Sequence, residues 1–186
     1  MNYYAVQVVA SQEEALIGWV LRHQEGFRQD VRFFFPRRRL TIRRQGRQLQ
    51  ELYPVFPGYV FVEAAGIGRS LYDLVRHGPG FCRFLRSNTD IRPLGQRDLA
   101  VLVHFMGGDG IAESSLVYFN EKDRIVVVDG PLMGMEGNIV KVDRRKKRAK
   151  IQLDFASESF HLDLAFEVIE RASAAGAGSD KEPAAG

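Results

Sequence analysis

The strongest constraint on this chain is a change of hydrophobic period partway along it. As far as Met106, apolar runs of strand character alternate with apolar stripes at helical spacing, whereas beyond Asn120 every apolar run is short and strand-like. One layered core cannot serve both patterns, so the chain is expected to fold as two domains, and 186 residues suffice for two small ones.

In the first part, Tyr3 to Val9 reads as a strand. Ser11 stands three residues before Glu14, the spacing of a capping box, and predicts a helix that carries Ala15, Leu16, Trp19 and Val20 on one face and stops near Gly26. Val31 to Phe35 returns to strand character and Pro36 ends it. Between Arg37 and Arg47 lie six arginines and no acid, interrupted by Leu40, Ile42 and a turn-like Gln45-Gly46, which predicts a solvated hairpin or loop. Pro54, Pro57 and Gly58 then mark a bend before Tyr59 to Val62, a strand apolar on both faces and therefore central or facing a partner. Ser70 opens a short helix through Leu71, Leu74 and Val75. Gly78-Pro79-Gly80 closes it ahead of a strand from Phe81 to Leu85. Leu99, Leu102, Val103 and Met106 carry a third helix that stops at Gly107-Gly108. Residues 1–107 thus read as an α/β sandwich.

Residues 108–119, rich in glycine and serine, predict a linker. Residues 120–171 then read as a small β-barrel, with strands expected at Arg124 to Val128, Asn138 to Val142, Ala149 to Phe155, Ser159 to Leu164 and Phe166 to Ile169. Residues 172–186 lack large apolar groups and are expected to be disordered. The fold class is α+β.

Several function classes find no support. Cys82 is the single cysteine, so an internal disulfide is excluded, and the four histidines show no ligand-like spacing. No phosphate-binding Gly-Lys-Ser/Thr loop and no nucleophile setting is present, so neither an enzyme nor a cofactor or metal is expected. No run reaches the roughly 18 apolar residues of a membrane span, and a cytoplasmic monomer is the expectation. The net charge of +3 is small, but the positive charge is concentrated. One block is Arg37 to Arg47; the other is Arg144, Arg145, Lys146, Lys147 and Arg148, flanked by Lys141 and Lys150.

Four motifs in order, Tyr3-Tyr4-Ala5-Val6-Gln7, Phe56-Pro57-Gly58-Tyr59-Val60-Phe61-Val62, Gly78-Pro79-Gly80-Phe81 and Arg92-Pro93-Leu94, resemble the N-terminal (NGN) domain of the NusG transcription factors. Lys122 to Pro131, Gly134, Glu136 to Val140 and Val142-Asp143 resemble the KOW motif that follows it there, an SH3-like barrel. The resemblance runs from Tyr3 to about Glu170. It implies a transcription elongation or antitermination factor, with Tyr4, Phe56, Pro57 and Tyr59 meeting the clamp helices of the largest RNA polymerase subunit. Leu132, Met135 and Phe155 match the KOW surface that takes ribosomal protein S10 or Rho, although Phe155 reads equally well as a barrel plug. Arg76 and His77 match a contact to non-template DNA, or simply complement a helix C-terminus.

The basic block from Lys141 to Lys150 resembles specialised paralogues of the LoaP type and implies binding of a nascent leader RNA hairpin; a solvated turn is the plainer alternative. Lys122-Asp123 and Asp154-Phe155-Ala156 stand where general factors tend to keep Gly-Asp and Ile-Phe-Gly, which counts against S10 and Rho. A housekeeping NusG coupled to either partner remains the alternative. The β-branched run Ile125 to Val128 disfavours helix, so no helical refolding of the barrel is expected.

Overall fold

Both faces of the first strand are apolar, and that alone places it inside a sheet. The computed structural model describes residues 1–24, 31–107 and 109–170. Its first domain runs β1 (Asn2–Val8), α1 (Glu13–His23), β2 (Arg32–Phe34), β3 (Arg37–Arg44), β4 (Arg47–Pro54), β5 (Tyr59–Ala64), α2 (Arg69–Arg76), β6 (Phe81–Phe84), the short strands β7 (Arg86–Ser87) and β8 (Asp90–Ile91), and α3 (Gln96–His104). The main sheet has the order β2-β5-β1-β6, with β1 and β5 central and antiparallel in the register Tyr4↔Val62. Tyr4, Val6 and Val8 point under α1 and α2; Ala5, with Tyr3 at the margin, points the other way.

The helix expected to start at Ser11 begins at Glu13 with no side-chain cap, because Ser11 sits at φ 73° in a tight turn closed by Gln12 N–H to Val9 O. Glu13 instead turns inward, where its Oε1 accepts the N–H of Gly58 at 2.7 Å. The expected stop at Gly26 falls outside the described residues. Phe56 to Tyr59 and Gly78 to Phe81 are both Pro-Gly turns, with the glycine at φ 82° and 71° respectively, as a type II turn requires. The arginine-rich segment is a hairpin of β3 and β4, closed by Gln45 and Gly46 at φ 50° and 79°, a type I′ turn that matches the twist of the two strands.

After α3, β9 (Ile111–Ala112) joins the hairpin of the first domain, and the second domain then contains β10 (Ser115–Phe119), β11 (Ile125–Asp129), a 3₁₀ turn at Glu136–Asn138, β12 (Ile139–Asp143), β13 (Arg148–Phe155) and β14 (Glu158–Val168). Its five-stranded sheet has the order β11-β10-β14-β13-β12. The stretch expected as a linker, 108–119, therefore contributes two strands. β9 pairs parallel with β3, and β10 is the barrel's own first strand, where Ser115 and Val117 are buried. The glycines and serines around it obscure that alternation in the sequence. The two strands expected between Ser159 and Ile169 are one, β14, whose Leu162, Leu164 and Phe166 bury at every second position without a break. Gly130 is needed where it stands, since at φ 93° a Cβ would lie 2.6 Å from Ser115 Cα. No helix among the described residues is long and apolar enough to cross a membrane.

Backbone strain makes opposite demands at two turns. Gly80 at φ 71° would place a Cβ 2.5 Å from Gln12 Cβ, whereas Ala156 and Ser157, between β13 and β14, hold φ 56° and 65° without being glycine. Gly80→Ala is expected to cost about 2–3 kcal/mol through strain and overpacking. Ala156→Gly should instead gain about 0.5–1 kcal/mol, the left-handed penalty less glycine's extra chain entropy. Urea unfolding of the two variants tests both signs, and unchanged midpoints would refute the argument.

Candidate functional site

Helices α1 and α2 pack on one face of the main sheet, so cover for the other face has to come from α3 and from the second domain. The side chains of that other face are Ala5, Tyr59 and Phe61, continued by Phe56 from the Pro-Gly turn and by Leu102 and Phe105 at α3. The barrel completes the cover. Phe155, at the end of β13, inserts among Phe56, Tyr59 and Phe61 with ring centroids 4.7, 5.7 and 5.6 Å away. Phe160 closes on Phe56 and Tyr59 from the next strand, at 6.0 Å from each. Tilted and edge-on pairs of this kind add about 0.5–1.5 kcal/mol each beyond the area they bury. One apolar core thus runs from the first domain into the second.

Around that seam lies a polar rim. Arg97 pairs with Asp154 at 3.5 Å, and Asp98 at the start of α3 accepts the N–H of Ala156 at 3.1 Å, which helps to hold the strained turn. His104 Nε2 donates to the carbonyl of Pro131 at 2.8 Å. Arg148 donates to the carbonyl of Thr41 on β3 and lies 3.9 Å from Asp163. Arg38, on the same hairpin, is pulled down to about 10 chiefly by burial, with the nearby Arg148 charge adding to the effect. The Nε atoms of Arg38 and Arg148 are both buried without a partner among the described residues. The Tyr59 hydroxyl, bonded to Glu158, is pushed up to about 12, first by burial and then by the carboxylate charge.

The expected site residues separate against this frame. Phe56 and Tyr59 lie in the seam, and Pro57 is exposed at its edge. Tyr4 does not join them. It is buried on the opposite face beneath the helices, since neighbours on a strand alternate sides, and Tyr3 is the tyrosine turned toward the seam. Phe155 fills the space between the domains, buried in the core they share. Leu132 is wholly buried in the same core, its N–H bonded to Ser115 Oγ at 2.9 Å, and Met135 packs at the core's margin.

Arg76 and His77 stand at the end of α2. Arg76 is exposed and lies 3.8 Å from Asp73, and His77 Nδ1 donates to the Asp73 carbonyl at 2.6 Å.

The basic turn of the barrel is heterogeneous. Arg144 stacks over Phe119 at 3.7 Å and pairs with Asp123, while Arg148 is drawn into the interdomain rim. Arg145, Lys146 and Lys147 are exposed and carry no ion pair among the described residues. Lys141 and Lys150 face each other across β12 and β13, a like-charge pair that favours an anion nearby. Sequence reasoning missed Phe61, Phe105, Phe160, Asp98 and Glu158 as parts of the seam; the signal available was a strand apolar on both faces.

An α/β sandwich and a small barrel joined through an aromatic seam, with a free cationic turn beside it, define a two-domain binding protein. The family described as "Transcription termination factor nusG" matches residues 1–103, and the chain belongs to it, as a transcription termination/antitermination factor of NusG type. It is 25% identical over 176 residues to the "Transcription termination/antitermination protein NusG" of Bacillus subtilis strain 168, covering 91% of this chain and 98% of that one. The Thermus thermophilus protein of the same description is 22% identical over 183 residues, covering 92% and 99%. Among solved structures, "Domain interaction in Thermotoga maritima NusG" shares the fold with a TM-score of 0.58 and 20% identity, over 88% of this chain and 93% of that chain.

The Tyr59 phenol yields a pH test. Its folded value lies above the ordinary 10, so its contribution to docking is fully present below pH 10 and is lost as pH rises toward 12. Tyr3 and Tyr53 are also raised, by burial beside Glu63 and by the hydrogen bond to Glu51 respectively, so the test is whether Phe155→Ala removes the tyrosinate step near 12 and moves it back toward 10. A Tyr59 titration indifferent to that substitution would separate it from the seam.

Proposed function

We propose that this protein binds RNA polymerase through the sheet face centred on Phe56 and Tyr59, with Pro57 at its rim, and that the clamp helices of the largest subunit occupy the place the barrel holds in the structure. The observation that supports this reading is the seam itself: an aromatic face covered by a separate domain, with its polar contacts confined to the edge. Buried aromatic anchors ringed by polar contacts supply most of the energy of a protein interface. Partner and barrel compete for one surface, so polymerase binding requires the barrel to leave. If docking is favoured by about 2 kcal/mol, the affinity for the clamp is reduced roughly thirtyfold until something releases the barrel.

Once bound across the clamp, the N-terminal domain stabilises whichever clamp conformation it fits better, and a closed, processive clamp resists pausing and termination. The released barrel stays tethered and searches for its own partner at high effective concentration. Arg145, Lys146 and Lys147, with Lys141 and Lys150 behind them, suit the phosphates of a structured leader RNA, as in specialised factors of the LoaP type. Arg76 and His77 would reach the non-template DNA strand, each already steadied by Asp73. Ribosomal protein S10 or Rho would meet Leu132, Met135 and Phe155 once the barrel has left, since Leu132 and Phe155 are buried until then.

Binding to core polymerase, measured for the whole chain and for Phe155→Ala, tests the arrangement. The variant is expected to bind at least tenfold more tightly, and adding Tyr59→Ala should abolish the gain. Equal affinity of wild type and Phe155→Ala would sink the competition. Capture of S10 or Rho by the polymerase-bound whole chain, with no RNA bound, would return the chain to a general NusG role.

A further inference from the structure

The two basic blocks, about a hundred residues apart in the chain, meet at one contact. Arg148 Nη2 donates to the carbonyl of Thr41 at 2.5 Å. Thr41 lies midway along β3, four residues before the Gln45 of the hairpin turn, and Arg148 follows the barrel's basic turn. At a rise of about 3.3 Å per residue, Arg43 begins within roughly 7 Å of Thr41, and Lys147 is the covalent neighbour of Arg148. Phe166 N–H bonds to the Lys147 carbonyl at 3.0 Å, so the barrel turn is anchored to β14, the strand that packs beside β3.

Arg43, Arg44 and Arg47 at the hairpin tip are exposed, as are Arg145, Lys146 and Lys147, and none of these side chains has an ion pair among the described residues. The neighbouring acids are engaged elsewhere. Asp123 holds Arg144, Asp163 faces Arg148, Glu51 accepts from the Tyr53 hydroxyl, and Asp143 accepts the backbone N–H of Lys146. Both cationic tips are turns between adjacent antiparallel strands, with Gln45-Gly46 in one and Lys147 at φ 51° in the other. Two sets of unpaired cations on turns that flank one contact repel, and that repulsion opposes docking unless an anion lies across them.

The geometry points to a single phosphate-binding surface, made of Arg43, Arg44 and Arg47 from the N-terminal hairpin and Arg145, Lys146 and Lys147 from the barrel, that is assembled by docking and takes the backbone of an RNA stem. This rests on the reading of the barrel turn as an RNA-binding element and adds its second half. A ligand that spans the join binds the docked form better than the open form, so it holds the domains together. By linkage, RNA and the polymerase clamp helices are then antagonists, each weakening the other by the same factor. RNA captured by the docked protein is handed to the barrel alone when polymerase opens it.

The test uses the whole chain and a fluorescent RNA stem-loop over a salt series. Three proteins are compared with wild type: Arg43→Ser/Arg44→Ser/Arg47→Ser, Arg145→Ser/Lys146→Ser/Lys147→Ser, and Phe155→Ala. Each triple variant changes only exposed side chains and is checked for folding by its NMR spectrum. Each is expected to weaken binding tenfold or more and to flatten the salt slope by about two to three, one for each phosphate no longer neutralised. Phe155→Ala, which separates the blocks, should lose the hairpin's share alone. If the hairpin triple binds RNA as wild type does while the turn triple fails, the composite surface is overturned and the barrel reading survives. If neither triple changes RNA binding, both fail. A DNA duplex that competes equally with the stem-loop would overturn RNA as the ligand.

Discussion

The insertion of Phe155 among Phe56, Tyr59 and Phe61 is the interaction on which the rest of the architecture depends. A central strand such as β5, buried on both faces, needs two covers: α1 and α2 supply one, and α3 shares the other with the barrel. Without the barrel, Phe56, Tyr59 and Phe61 would lose the cover that Phe155 gives them, leaving an apolar patch of the kind that marks an interaction site. The seam is therefore both a structural necessity of the free protein and the best candidate for a partner surface. These two roles are compatible because the cover is a domain with its own sheet, and a sheet that closes its own hydrogen bonds can move away without unpairing strands.

The turn that presents Phe155 shows how closely docking and local conformation are linked. Ala156 and Ser157 both occupy the left-handed region, where each non-glycine residue stores about 1–2 kcal/mol. The turn is held from outside by Asp98, and Arg97 pairs with Asp154 on its near side. This chain thus has a strained turn that is held in part by the neighbouring helix. The strain is tolerable while docked and less well supported when open, which biases the protein toward the covered state.

Much of this is legible in the sequence. The change of period predicts two domains; Pro57-Gly58 and Pro79-Gly80 predict their turns, and Gln45-Gly46 predicts its hairpin, because each local geometry has few residue solutions. The errors have physical causes. Ser11 has a capping-box spacing but sits at φ 73°, so spacing misleads where the backbone decides. β10 is hidden because a strand can be built from a serine and four apolar residues among small ones. Tyr4 is assigned to the wrong face because a strand apolar on both sides gives no sign of which side is free. The seam itself is not readable, since Asp98, Ala156, Tyr59 and Glu158 come from three separate stretches and meet through tertiary packing alone.

Two opposing forces act across the same domain boundary, at different places. The aromatic seam attracts, and its strength is set by area and ring geometry, so salt hardly affects it. At the Thr41–Arg148 contact, the hairpin and the basic turn bring unpaired cations together, and Arg38 and Arg148 sit half-buried with Asp163 as their nearby carboxylate. That repulsion is screened by salt and removed by a polyanion. On the proposed reading, the balance between docked and open forms would answer to two ligand classes: an apolar helical surface would compete for the seam, while a phosphate backbone would neutralise the opposing charge. The strand pairing of the main sheet and of the barrel lies within each domain, so separating them at the seam unpairs no strand of either sheet.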